Sequence, residues 1–316
     1  MADEPGDEIV VVGGGVVGLT TAVVLAERGR RVRLWTRDPA EATTSAVAGA
    51  LWWPYRIEPA PLARAWGLRS LEVYEGLAGR GGRAGVRMVE GVLGETRLDE
   101  VAGWLAERVP GLRSTTAGEY AGPGVRARLP LIDMPVHLAW LRERFVAAGG
   151  VVEARAVSSF AEADAPVVVN CTGLAARELV PDPSVRPVRG QLVVVENPGI
   201  DTWLVSSDAA GQYAYLFPQP GGLVLGGTAE EDAWSLEPDP VTAEAIVTRC
   251  AALRPEVAGA KVLAHRVGLR PARPAVRLER DALPDGRLLV HNYGHGGAGV
   301  TVAWGCAEEA AELITG

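Results

Sequence analysis

The chain has three cysteines in 316 residues, which excludes a disulfide framework as its source of stability. Cys171 and Cys306 lie in apolar sequence and read as packing residues rather than redox centres. Although 48% of the residues are hydrophobic, no apolar run approaches the ~20 residues that span a bilayer. Positive charge is in deficit: 31 Lys and Arg against 39 Asp and Glu give a net charge of −8, with no basic tail. That argues against nucleic acid or an anionic membrane as partner, and leaves local arginines free to bind a small anion. The histidines number four. His291 and His295 have the spacing of a zinc pair, but glycine in and around that stretch makes it a loop, where the spacing has no helical meaning, so no metal is expected. An acidic start without a signal-peptide n-region and an end without a peroxisomal or endoplasmic-reticulum address lead to the expectation of a cytoplasmic protein. There is no internal repeat and no low-complexity linker, and the length suits two domains or one large α/β unit.

What is present is glycine at two telling places. The last residues, from His291-Asn-Tyr-Gly-His295 through Gly296, Gly297, Ala298, Gly299, Val300 and Thr301, run from a glycine-rich loop into an alanine-rich helix. Such a loop admits a ligand close to the backbone, and the helix N-terminus behind it favours negative charge. At the other end, Glu8–Val12 reads as a buried strand, Leu19–Arg28 as a helix stopped by Gly29, and Arg31–Trp35 as a second strand. Gly13, Gly14, Gly15, Val16, Val17 and Gly18 form the turn between, with Gly13-x-Gly15-x-x-Gly18 matching the dinucleotide-binding fingerprint in its proper βαβ setting. Two such loops suggest one long cofactor held at both ends; a glycine turn without a ligand is the alternative.

The fingerprint does not separate nicotinamide from flavin. It expects an acidic residue at the end of the second strand, and here Arg37 or Asp38 holds that slot. A cation there suits a ribose 2′-phosphate, adenine stacking or a phosphate contact. Thr43, Thr44 and Ser45 offer hydroxyls to a pyrophosphate, and Gly49, Ala50 and Leu51 are small enough, or apolar enough, to approach a flat ring. Trp52 and Trp53 read first as core. Residues 56–150 read as helical and mixed. Ala165–Gly173 reads as a further buried strand beside the first βαβ unit, so the cofactor domain is discontinuous. Segments 189–195, 214–218 and 223–227 read as antiparallel strands of a second domain. Between prolines in Gly268–Pro274, Arg270 is pre-positioned to fork onto a carboxylate; ion pairing with Glu279 or Asp281 is the competing reading.

These motifs, in this order, resemble the D-amino-acid oxidase family of FAD-dependent flavoproteins, and the resemblance covers nearly the whole chain. It rests most specifically on Gly268-Leu-Arg-Pro-Ala-Arg-Pro274 and His291-Asn-Tyr-Gly-His-Gly-Gly-Ala-Gly299, supported by Thr43-Thr-Ser45, Gly49–Tyr55, Val169–Gly173, Arg189-Gly-Gln191 and Tyr215-Leu-Phe-Pro218. The resemblance implies an α/β fold: a Rossmann-like parallel-sheet FAD domain from residues 1–55, 150–185 and 275–316, and an α+β substrate domain on an antiparallel sheet from 56–149 and 186–274. It implies non-covalent FAD, held by the two glycine loops with Arg37, Asp38, the 43–45 and 49–51 segments, Val157 and Thr172. Arg270 would bind the substrate carboxylate, the Tyr215 hydroxyl would support it, and the Gly297 carbonyl would receive the amine. The chemistry implied is hydride transfer from Cα to flavin without a protein base, followed by reoxidation by dioxygen to peroxide and hydrolysis of the imine to a 2-oxo acid.

Two departures stand out. The segment Ser206–Tyr215 is short where eukaryotic members carry a lid, so Tyr213 is the candidate to do part of a lid tyrosine's work, and the peroxisomal tail is absent. Both suggest a bacterial-type enzyme with an open pocket that accepts bulky neutral D-amino acids, with basic ones as a further candidate, and that favours neutral ones over D-aspartate. D-aspartate or glycine oxidation within the same superfamily is the runner-up, with Arg56 as the one candidate second cation. A nicotinamide dehydrogenase or a non-catalytic flavin protein is the alternative from a different class. The resemblance leaves a homodimer open.

Overall fold

A computed structural model describes residues 8–207 and 211–316. Strand β1 (Glu8–Val12) is β-branched and buried along nearly its whole length, as an interior strand of a parallel sheet must be. Gly13 leaves it at φ +118°, a conformation that glycine alone takes readily. Helix α1 (Val16–Glu27) follows, then β2 (Arg31–Thr36), parallel to β1. The helix begins three residues before the expected Leu19, because Val16, Val17 and Gly18 form its first turn rather than the end of the loop.

The chain continues through a single-turn α2 (Thr44–Val47), the long α3 (Ala60–Ala78), β3 (Val86–Gly94) and α4 (Leu98–Leu105). Next come β4 (Arg113–Ser114), β5 (Gly124–Ile132), α5 (Met134–Ala147), β6 (Val151–Ala154), β7 (Val167–Asn170) and α6 (Ala176–Leu179). Then follow β8 (Arg186–Val195), β9 (Trp203–Ser207), β10 (Tyr213–Gln219), β11 (Gly222–Gly226), β12 (Glu230–Glu231) and α7 (Pro240–Leu253). The last elements are β13 (Val262–Ala272), β14 (Arg277–Ala282), β15 (Leu288–Tyr293) and α8 (Gly299–Thr315).

Two sheets result. One has the order β14-β15-β7-β1-β2-β6 and is parallel except for its β14 edge. The other has nine strands in the order β12-β8-β11-β10-β9-β3-β5-β4, with β13 paired to β8. It is antiparallel except where β3 meets β9. The anticipated strand at 165–173 is β7, beside β1, and the three anticipated antiparallel strands are β8, β10 and β11. Segment 56–150 corrects the sequence reading: β3 and β5 pair from Val86↔Ile132 to Gly94↔Gly124 and form a full antiparallel ladder. Arginines and Pro130 interrupt the apolar pattern of β5, although Val125, Ala127, Leu129 and Leu131 alternate on its buried face.

Helices α1 and α3 both pack on α8, closing the core behind the parallel sheet. Trp52 lies in this core, fully buried, with its indole N–H donated to the Gly67 carbonyl at 3.1 Å. Among the described residues, no helix is long and apolar enough to cross a membrane.

Candidate cofactor and substrate site

A cavity of about 880 Å³ opens at the carboxyl ends of β1, β2 and β7 and extends to the face of the second sheet. That is where ligands sit in open α/β sheets. Both glycine loops line it: Gly13, Gly14, Gly15, Val16 and Val17 from one, Gly296, Gly297, Gly299 and Val300 from the other. The first turn is tight because three chain segments meet there. The Gly13 N–H donates to the Trp35 carbonyl and the Cys171 N–H to the Val12 carbonyl, each at 2.8 Å. A Cβ on Gly18 would overlap the Gly13 carbonyl, so Gly18 serves the turn from behind and does not line the cavity. Ser45 accepts a hydrogen bond from the Val16 N–H at 2.9 Å, which fixes the α2 hydroxyl run against the start of α1.

The remaining expected cofactor residues are distributed along the cavity. Arg37 and Asp38 line its β2 end, paired to each other at 2.7 Å, and Arg37 is largely exposed. Thr43, Thr44, Ser45, Gly49, Ala50, Leu51, Val157 and Thr172 all line it. Thr172 donates through both its N–H and its hydroxyl to Asn170, at 3.1 and 2.7 Å. Besides Gly18, two expected contacts are not at the wall. Ala298 is buried, and the Thr301 hydroxyl clamps Trp53, accepting from its N–H at 3.2 Å and donating to its carbonyl at 2.9 Å. Helix α8 nevertheless starts at the cavity with no acidic residue in its first turn and no side-chain cap. Its N-terminal partial positive charge is therefore uncompensated.

The second sheet supplies the other half of the site. Arg270 on β13 donates from Nη1 to the Thr228 carbonyl at 2.9 Å. Among the described residues no carboxylate lies within ion-pair distance of it; Glu279 and Asp281, the acids expected to compete for it, pair with Arg277 at 2.6 and 3.2 Å. Arg273 is occupied by Asp182 at 2.9 Å and by the Ala275 carbonyl. The Arg270 guanidinium lies flat on Gly190 of β8, where a Cβ would sit 2.5 Å from Nη1. Tyr215 of β10 stacks on Phe217, ring centroids 4.5 Å apart, over Gly226 and Gly227. Burial pushes its phenol up to about 12, against the opposing pull of the Arg270 charge, so the hydroxyl stays protonated and can donate. Gly297 packs between Tyr55 and Arg270: a Cβ there would meet Tyr55 Cδ1 at 2.9 Å and Arg270 Cδ at 3.3 Å. Tyr213 meets Tyr55 edge to face at 5.3 Å. Arg270, Tyr215, Gly297 and Tyr213 thus share one cavity. The middle of the short segment before Tyr213, residues 208–210, lies outside the described residues.

Several lining residues were not anticipated. Tyr55 sits inside a motif read for its glycine and tryptophans, and nothing local marks it as facing a ligand. Trp234 and Leu236 line the cavity from the loop after β12 although both are exposed. That loop explains the Arg189-Gly-Gln191 signature. The buried Arg189 guanidinium donates to the carbonyls of Ser235 and Glu237 at 3.0 and 2.7 Å and pairs with Glu230 at 2.7 Å. The Gln191 side chain bonds the backbone of Asp239. His295 is buried at the wall with its basicity lowered to about 4 by desolvation, so it is a neutral imidazole. Burial raises the Cys171 thiol to about 12, which rules out a thiolate there.

The cavity fits FAD on the chemistry of its walls. It has a glycine turn with a helix N-terminus for a pyrophosphate, a second uncapped helix N-terminus for the polar edge of a flavin, and small residues between them. Comparison with known proteins agrees. The family described as FAD dependent oxidoreductase matches residues 8–313. The chain is 77% identical over 314 residues to a D-amino-acid oxidase of Streptomyces coelicolor, covering 99% of this chain and 98% of that protein. It is 52% identical over 310 residues to a D-amino-acid oxidase of Rubrobacter xylanophilus, covering 96% and 94%. Among solved structures, a glycine oxidase from Bacillus cereus superposes with a TM-score of 0.80 over 97% of this chain and 96% of that one, at 18% identity, a likeness of fold. The family match runs from the start of β1 into the last turn of α8, and the chain belongs to the FAD-dependent oxidoreductase family.

Proposed function

We propose that the protein oxidises D-amino acids with FAD and dioxygen, yielding a 2-oxo acid, ammonia and hydrogen peroxide. One observation carries this reading: Arg270 is a cation without an acidic partner among the described residues, set into the cavity beside Tyr215 and Gly297. A guanidinium so placed binds a carboxylate as a fork. The D-amino-acid oxidases among its relatives support the choice of substrate.

FAD, when bound, supplies the hydride acceptor and the route to dioxygen. The chain's own residues orient the substrate. Arg270 holds the carboxylate, and the protonated Tyr215 hydroxyl donates to it. The Gly297 carbonyl accepts from the amine, so the amine's lone pair is left available as the Cα–H bond breaks. Phe217, Tyr55 and Tyr213 exclude water from that side. The α1 turn would take the pyrophosphate and Arg37, Asp38 and Val157 the adenosine end. Gly49–Leu51 and the start of α8 would hold the ring, where the helix dipole stabilises negative charge.

Purified protein should be yellow and should release its chromophore into the supernatant on acid precipitation, because no covalent attachment is expected. Colour retained in the pellet would overturn the non-covalent assignment. A peroxide assay across D-amino acids and their L-enantiomers tests the activity itself, with turnover expected for the D-series alone. Within that series, neutral D-amino acids are expected to be preferred. The aromatic wall of Tyr55, Tyr213 and Phe217 offers contact area, and Arg56 does not line the cavity, so no cation stands in the wall itself to pair with a side-chain carboxylate. Steady-state kcat/KM for D-valine or D-methionine should exceed that for D-aspartate; the reverse order would move the assignment to acidic substrates.

A further inference from the structure

The wall made by Tyr55 and Tyr213 has a cation on it. The Arg56 guanidinium lies 5.4 Å from the Tyr55 ring centroid and 5.9 Å from that of Tyr213, within cation–π range of both. The two rings meet edge to face at an interplanar angle of 85°. Both rings line the cavity; Arg56 lies behind them and is exposed.

Three further facts single Arg56 out. Its backbone is at φ +45°, in the left-handed region that a side chain enters only at a cost. A glycine would adopt that conformation freely, so the arginine side chain needs a reason to be there. Its carbonyl is packed near the C-terminal glycine loop, 3.6 Å from where a Cβ on Gly296 would stand. Among the described residues no carboxylate lies within ion-pair distance of Arg56, and Glu58 instead accepts from the Ala60 N–H at 2.6 Å.

The charge reaches the pocket. Burial raises the Tyr55 phenol, while the charges of Arg56 and Arg270 both pull it back; Arg270 lines the cavity and Arg56 does not. Gly297 and Arg270 both pack on or beside Tyr55. A substrate with its carboxylate on Arg270 and its amine at Gly297 therefore has Tyr55 as a neighbour, and Arg56 is one ring away.

We propose that Arg56 determines substrate specificity: it braces the Tyr55–Tyr213 wall by stacking, and its charge excludes D-amino acids with basic side chains while the ring surface accepts neutral ones. This inference rests on the reading of the site as a D-amino-acid oxidase. A second ammonium arriving at that wall meets like charge across the ring, screened in part by the solvent that Arg56 faces, a repulsive device rather than a missing contact.

D-norleucine and D-lysine test it, since D-lysine differs essentially by carrying an ammonium at the end of the same chain. Wild-type kcat/KM should favour D-norleucine by about tenfold or more. Arg56→Glu should narrow that ratio about tenfold, and Arg56→Ala by less. Arg56→Lys should keep the ratio while raising KM for both substrates, because charge survives but planar stacking does not. Flavin absorbance should be unchanged in all three variants. Normal D-norleucine turnover with a ratio that does not move in Arg56→Glu would overturn this inference alone. No peroxide from wild type with D-norleucine, D-valine or D-methionine would overturn the activity reading and this inference with it.

Discussion

Arg270→Ala should reduce kcat/KM for a neutral D-amino acid by about 10³-fold or more, with the flavin spectrum intact. Two charge-assisted hydrogen bonds to a carboxylate, in a site partly closed to water, are worth about 4 kcal/mol by order of magnitude, and that energy converts to about a thousandfold. The loss is specific because nothing nearby substitutes: Arg273 is held by Asp182 and Arg277 by Glu279 and Asp281. Arg270→Lys should fall between, since a point charge remains but the fork is gone. Tyr215→Phe should cost only about tenfold, because a single hydroxyl donor is lost while the guanidinium stays. Stopped-flow reduction of the bound flavin separates binding from chemistry in each variant. Near-wild-type rates in Arg270→Ala would show that another group binds the carboxylate.

How far this site could be read from the chain depended on whether its chemistry is local. The β1 turn is legible because strand, glycines and helix are consecutive, and Gly13 departs from the strand at a positive φ that only its residue type anticipates. Arg270 could be singled out among prolines, but its isolation from acids could not. Glu279 and Asp281 pair with Arg277 along β14, a matter of side-chain placement that sequence order does not reveal. The β3–β5 ladder was missed because arginines and Pro130 break its pattern and its partner strands lie far apart in sequence. Tyr55 was missed for a different reason. Its position against Gly297 joins two loops some 240 residues apart, and neither loop alone says which way the ring faces. The resemblance assigns Gly296–Thr301 to the flavin as a loop and helix N-terminus; a helix turns successive side chains to different faces, and the Ala298 and Thr301 side chains go to the core and to Trp53.

The largest effect on the cofactor should come from Gly13→Ala. Its φ of +118° lies in a region closed to residues with a Cβ, and an added Cβ would overlap the backbone carbonyl of Cys171. Neither side can yield. Gly13 is tied to β2 through the Trp35 carbonyl, and Cys171 to β1 through the Val12 carbonyl, both at 2.8 Å. A backbone-on-backbone clash between paired strands does not relax by a rotamer change, so the turn itself must shift. Strain of about 3–5 kcal/mol is expected. If it falls on cofactor binding, FAD affinity drops by at least about 100-fold. If it falls on the fold, Tm drops by several degrees. Gly81→Ala is the control for φ alone, since Gly81 has φ +74° but nothing within 4 Å of an added Cβ; it should retain full FAD. Fluorescence titration of apoprotein with FAD, beside circular dichroism of the same sample, reads both quantities. Stoichiometric FAD with a wild-type Tm in Gly13→Ala would mean that the β1 turn is looser than this packing requires and that the pyrophosphate is held elsewhere.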